Sequence, residues 1–173
     1  MTFKEILEIT RKRMNKEKYN KKIIFPNGKA GMIQKAIEIE LVDTFKECFP
    51  NAQIDHPEDN SGLPDLWSYC YNHGIEIKTT KGWPSSKRYR KRTNDWVQKP
   101  DTIVWTQGTV QDSDIKKPFI FIKFSIINNT LEFDRVYFGL VSYNDWNIHF
   151  VNGHEKDMRM PESIVKKLCK QII

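Results

Sequence analysis

Apolar side chains recur at helical spacing over the first residues of the chain. Phe3, Ile6, Leu7, Ile9 and Met14 form one stripe, and Thr2 followed three places on by Glu5 has the form of a capping box. The pattern predicts a helix over residues 2–19. Pro26-Asn27-Gly28 marks a turn. Beyond it Ile33, Ile37, Leu41, Thr44, Phe45 and Cys48 keep a three-to-four spacing, which predicts a longer helix from Ala30 to Phe49. Gln34 and Glu38 fall on the flank of that apolar face, and Glu40 reads as a boundary polar residue. Residues 50–62, with two prolines and a final glycine, read as a loop.

From there the period changes to two. Runs rich in aromatic and β-branched residues flank Asn72-His73-Gly74, which predicts two strands joined as a hairpin. Thr102–Thr106, Pro118–Ile127, Leu131–Val141 and Trp146–Val151 read as further strands, with Asn128-Asn129 as the turn between the two longest. Pro161-Glu162-Ser163 opens a last helix ending near Gln171. The expected class is α/β, with a central mixed β-sheet of about five strands flanked by the α-helices at 30–49 and 162–171. A length of 173 residues suits a single domain over residues 1–173 with a core of useful size.

Charge changes this picture. The net charge is +6, but it is carried by two blocks, residues 11–22 and 81–99, each with seven basic residues and one acidic residue. The rest of the chain has 14 basic against 20 acidic residues, so positive charge is gathered where a polyanion would be met. In the first block, Arg11 to Arg13 either face DNA or serve the C-terminal dipole of a solvated helix. The second block opens on Lys81 and interleaves Trp83, Tyr89 and Trp96 with Lys87, Arg88, Arg90, Lys91 and Arg92. These residues are expected to contact the phosphates of double-stranded DNA, and some of the arginines to read guanine. Cysteines 48, 70 and 169 are too few and too widely spaced for a disulfide framework or a zinc site, which points to reduced thiols in a cytoplasmic protein. No apolar run approaches the length needed to span a membrane, so neither a signal peptide nor an anchor is expected.

The chemistry gathers between Leu63 and Gly82. Residues two apart in a strand share a face, so Glu76 and Lys78 point one way while Ile75 and Ile77 point to the core. A hairpin would bring Asp65 back beside Glu76. Two carboxylates and an ammonium at one end of a sheet are costly to gather and add no packing. They suit metal-assisted hydrolysis, with Asp65 and Glu76 as oxygen ligands for Mg²⁺ and Lys78 acting on water or on developing negative charge. Glu58 or Asp59, in the loop before, could serve a second metal, although acidic loops are mostly just solvated.

The order Pro64-Asp65, ten residues, Glu76-x-Lys78 resembles the PD-(D/E)XK nuclease superfamily, which includes many type II restriction endonucleases. A narrower likeness covers roughly residues 28–82. Lys29-Ala30-Gly31 opening a helix, with GIEIKTT later, is similar to the mismatch-repair strand-nicking enzymes and the restriction enzymes related to them. Those carry a helix glutamate soon after the glycine, where this chain has Gln34 and Lys35. Glu38, one helical turn beyond Gln34, is the first choice for that role and Glu40 the second. The resemblance implies the restriction-endonuclease-like fold and Mg²⁺-dependent hydrolysis of DNA phosphodiesters. Its implied catalytic residues are Asp65, Glu76, Lys78 and Glu38, with the metal held by Asp65 and Glu76. Because Lys78 fills the base role within the resemblance, His56 is not favoured for it. A sequence-specific type II restriction enzyme is the leading expectation, and a homodimer would match a palindromic site. The alternatives are a structure-specific repair or recombination nuclease and a DNA-binding module without catalysis.

Overall fold

The apolar run at β7 (Lys117–Ile127) is buried on both of its faces, and the rest of the chain packs around it. Phe119, Ile120, Phe121 and Ile122 are all inaccessible to solvent, as expected for a central strand covered on each side. The computed structural model describes residues 1–16, 30–57, 63–82, 86–90, 93–99, 102–107, 114–151 and 154–173. Within them the fold is mixed α/β, with a six-stranded mixed sheet and three α-helices.

The first helix, α1 (Phe3–Met14), starts at the expected capping box: the Glu5 N–H donates to Thr2 Oγ1, and the Thr2 N–H donates to Glu5 Oε2. It buries Ile6, Leu7, Thr10 and Met14, and the Thr10 hydroxyl is satisfied by the Ile6 carbonyl at 2.9 Å. Asn15 ends it by exchanging two hydrogen bonds with the backbone of Leu131, at 2.9 and 2.7 Å. The rest of the expected helix, from residue 17, and the Pro26-Asn27-Gly28 turn lie outside the described residues. The second helix, α2 (Ala30–Cys48), buries Ile33, Ala36, Ile37, Leu41, Val42 and Thr44. Phe3 of α1 stacks on Phe45 of α2 with ring centroids 5.9 Å apart.

After α2 come β1 (Ile54–Asp55), β2 (Leu66–Ser68) and β3 (His73–Thr80), an antiparallel series at one edge of the sheet. Residues 50–62, expected as loop throughout, thus contribute the short edge strand β1. The turn of the β2–β3 hairpin lies two residues earlier than the sequence suggested. Asn72 takes the left-handed conformation (φ 45°) that completes it, so His73 and Gly74 already pair with Ser68 and Trp67. A ribbon of β4 (Ser86–Arg90) and β5 (Asp95–Lys99) and then β6 (Val104–Gln107) follow. The crossover returns the chain to β7, which lies parallel to β3. Asn128 and Asn129, both at positive φ (50° and 62°), turn β7 tightly into β8 (Thr130–Val141).

The C-terminal part departs further from expectation. β9 (Asn147–Val151) was expected from Trp146, but β10 (His154–Pro161) was not, because its sequence reads as polar apart from Met158 and Met160. β6, β10 and β9 form a separate three-stranded sheet. The last helix, α3 (Glu162–Leu168), stops short of Gln171, because β11 (Cys169–Gln171) pairs with β8 as a sixth strand of the main sheet. Gly139 permits this: a Cβ there would sit 2.7 Å from Cys169 Sγ and 2.8 Å from the Leu168 carbonyl.

The sheet order is β1-β2-β3-β7-β8-β11. One core cluster joins Ile77, Ile120, Ile122 and Phe124 to Ile6, Leu7, Ile37 and Leu41 of the helices. The other joins Phe119, Phe121 and Tyr137 to Trp105, Trp146, Met158, Met160 and Val165. Alternation along β7 divides its side chains between the two clusters, so α1 and α2 cover one face and the small sheet with α3 covers the other. No helix among the described residues is long and apolar enough to cross a membrane.

Candidate active site

Pairing between β2 and β3 begins at Leu66 opposite Ile75, and just before it the chain carries Pro64 and Asp65. The backbone N–H of Ile77, one of the obligatory donors of β3, would need a partner from a longer β2. Asp65 Oδ2 accepts it instead, at 2.7 Å. This hydrogen bond fixes Asp65 against β3 beside Glu76 and Lys78. Gly74 makes the approach feasible: a Cβ at that position would lie 2.6 Å from Pro64 Cγ and 2.8 Å from the Leu66 carbonyl. A side chain there would push the Pro-Asp pair off the strand.

Glu76 and Lys78 share a face of β3, as alternation requires, and Lys78 Nζ donates to Glu76 Oε1 at 2.6 Å. The same ammonium stands 3.9 Å from Asp65 Oδ2. Between 15 and 20% of each of these three side chains remains exposed, enough to be reached from solvent. The Asp65 carboxyl is pushed up to about 7, first by burial and then by the neighbouring Glu76, with Glu38 adding to it. Lys78 and the Ile77 N–H oppose the shift without cancelling it.

Of Glu38 and Glu40, Glu38 is the one that lies near Asp65. It faces the hairpin from α2, one turn after Gln34, whose side chain donates to the Thr79 carbonyl at 3.0 Å and ties the helix to β3. Glu40 faces the other way. It is buried towards α1, where Arg13 lies 3.5 Å from it. Around Glu38 the structure gathers two residues that were not assigned to the site. His56 Nε2 is 2.5 Å from Glu38 Oε1, and Lys35 Nζ is 2.7 Å from the same oxygen and 3.4 Å from the imidazole. Glu38, His56 and Asp65 offer ligand atoms that all lie within 4.8 Å of one another. From the sequence His56 is not favoured, because Lys78 fills the base role within the resemblance. Only the edge strand β1, followed at once by a hydrogen bond from the His56 N–H to Asp55 Oδ1 at 2.9 Å, places it here.

The chemistry of this donor set fits a divalent cation. Asp65 and Glu76 are hard oxygen donors, the charge of Glu76 disfavours ionisation of Asp65, and a cation held by both would offset that cost. Glu58 and Asp59 lie outside the described residues.

The basic segments divide. Lys81 is exposed just beyond β3, and Lys87, Arg88 and Arg90 lie on β4, with Tyr89 opposite Trp96 in the ribbon. Lys91 and Arg92 lie outside the described residues. In the first block only residues 11–16 are described, and there Arg11 pairs with Glu8 and Glu132, and Arg13 with Glu47 and Glu40. Lys12 remains exposed. A groove of about 740 Å³ also runs along α1, past Leu7, Ile9 and Phe133. Its Arg11 is already paired with Glu8 and Glu132, and it includes none of the hairpin residues, so we place the site at the hairpin.

Comparison with protein-family models, with curated proteins and with solved structures finds no match.

Proposed function

We infer that the chain is a Mg²⁺-dependent endonuclease acting on double-stranded DNA, of the type II restriction kind within the restriction-endonuclease-like fold. The observation that carries this is the placement of Asp65 on β3 against Glu76 and Lys78 by the Ile77 hydrogen bond. The residues of the Pro-Asp and Glu-x-Lys pattern, separated by ten residues in sequence, become one cluster. The sheet with two helices on one face and the basic ribbon directly after β3 support the same reading.

Asp65 and Glu76 would hold the ion. When bound, Mg²⁺ supplies Lewis acidity, lowering the pKa of water and offsetting charge on the phosphate oxygens. Lys78, with its ammonium between the two carboxylates, orients the attacking water and stabilises charge as it develops at phosphorus. Glu38 presents a further carboxylate from α2. Lys81 and the β4–β5 ribbon neutralise flanking phosphates and supply the salt-dependent part of the affinity. A two-fold dimer would match the symmetry of a palindromic site.

The test is incubation of the purified protein with plasmid and bacteriophage DNA in Mg²⁺, with EDTA and Lys78→Ala controls. Discrete fragments that vanish in both controls are expected. A smear or nick that vanishes in both would point to a structure-specific or nicking nuclease. Tight DNA binding without cleavage, unchanged by EDTA, would leave a binding module and refute the hydrolytic function.

A further inference from the structure

His56 brings to the site a nitrogen donor that the hydrolytic reading leaves unused. We propose that Glu38, His56 and Asp65 form a second cation site, of one nitrogen and two oxygens, that takes a borderline divalent ion such as Zn²⁺ in preference to Mg²⁺. This rests on the nuclease reading only in that Asp65 serves both sites.

Three separate stretches of chain supply the donors, and each is held by a contact of its own. Gln34 ties α2 to β3 one turn before Glu38, Asp55 caps the backbone of His56, and the Ile77 N–H holds Asp65. Around an ion with ligands at about 2.1 Å, adjacent donors stand about 3 Å apart and opposite ones about 4.2 Å apart. His56 Nε2 and Glu38 Oε1, 2.5 Å apart, would separate slightly to share an ion, and all three donor atoms already lie within 4.8 Å of one another. Lys35 shows that positive charge is accommodated at this point, its ammonium lying against both Glu38 and His56. A metal ion would compete with Lys35 for the same atoms.

Donor type sets the selectivity. Mg²⁺ favours oxygen ligands and keeps much of its water, whereas imidazole suits Zn²⁺ and the later first-row ions. A structural polar triad of Lys35, Glu38 and His56 would have no such preference.

The experiment titrates the full chain with Zn²⁺ alone and with Mg²⁺ alone, followed by calorimetry and by the ¹H–¹⁵N signals of the histidine rings. Zn²⁺ should shift the His56 ring signals at concentrations where Mg²⁺ leaves them unchanged. His56→Ala should weaken this Zn²⁺ binding at least about tenfold, since removing even an outer partner of a ligand costs that much. Lys35→Met should tighten it, a gain that misfolding cannot produce. A His56 ring indifferent to Zn²⁺, or a Lys35→Met variant with unchanged or weaker Zn²⁺ binding, would overturn the proposal. The nuclease reading fails separately: Zn²⁺ binding with this pattern but no DNA cleavage sinks that reading and leaves the cation site standing. Cleavage with no His56-dependent Zn²⁺ binding does the reverse.

Discussion

Replacing Asp65 by asparagine should make the metal-free protein more stable while removing its activity. The side chain is four-fifths buried, and its carboxyl is pushed up to about 7 by burial and by Glu76. In the unfolded chain the same group titrates at its ordinary value of 3.8. Because the folded pKa is the higher one, the folded state binds more protons between these values, and stability falls as pH rises from about 4 to about 7. A shift of about 3 units at 1.36 kcal/mol each sets a ceiling of about 4 kcal/mol. Residual solvent contact lowers the expected gain to about 2–3 kcal/mol. Asparagine keeps an oxygen for the Ile77 N–H and discards only the charge, so the variant isolates the electrostatic cost. Urea unfolding in EDTA is the assay. Asp65→Asn should exceed the parent by this amount at about pH 8, and the gap should close as pH falls towards about 4. Saturating Mg²⁺ should narrow the gap at about pH 8 by stabilising the parent alone, since ligand binding to the native state adds directly to its stability. An Asp65→Asn protein less stable than the parent at about pH 8 would refute the reasoning. It would show that Asp65 is ionised and stabilising through Lys78.

Three other outcomes follow from single contacts. Gly74→Ala should displace Pro64 and with it Asp65, since the Pro64 ring and the Leu66 carbonyl already lie within 3 Å of the added carbon, and lower DNA cleavage at least about tenfold. Parallel circular dichroism would confirm that the fold is retained. Arg13→Ala should cost roughly 1–3 kcal/mol in urea unfolding by withdrawing charge from buried Glu40, and Glu40→Gln in that background should recover part of it. Among the thiols, exposed Cys70 should react quickly with a disulfide reagent at about pH 8. Cys169, whose thiol burial pushes up to about 11, should react far more slowly, and equal rates would contradict its burial.

Local patterns in the sequence determined much of the frame. The capping box at Thr2, the apolar face of α2, the Asn128-Asn129 turn and the two long strands β7 and β8 each follow from contacts within a few residues. The pairing of Glu76 with Lys78 was legible in the same way, since alternation in a strand places residues two apart on one face. What lay beyond the sequence was decided by long-range contact. β10 and β11 are strands because β6, β9 and β8 offer them partners, not because of their own composition. Arg11 and Arg13 read as free positive charge until α1 was set against Glu132, Glu40 and Glu47. The choice between Glu38 and Glu40 needed the rotation of α2 between two neighbours, and His56 entered only through an edge strand of two residues. Hydrophobic period reports which way an element faces. Which polar groups then meet is settled only when elements distant in sequence pack together.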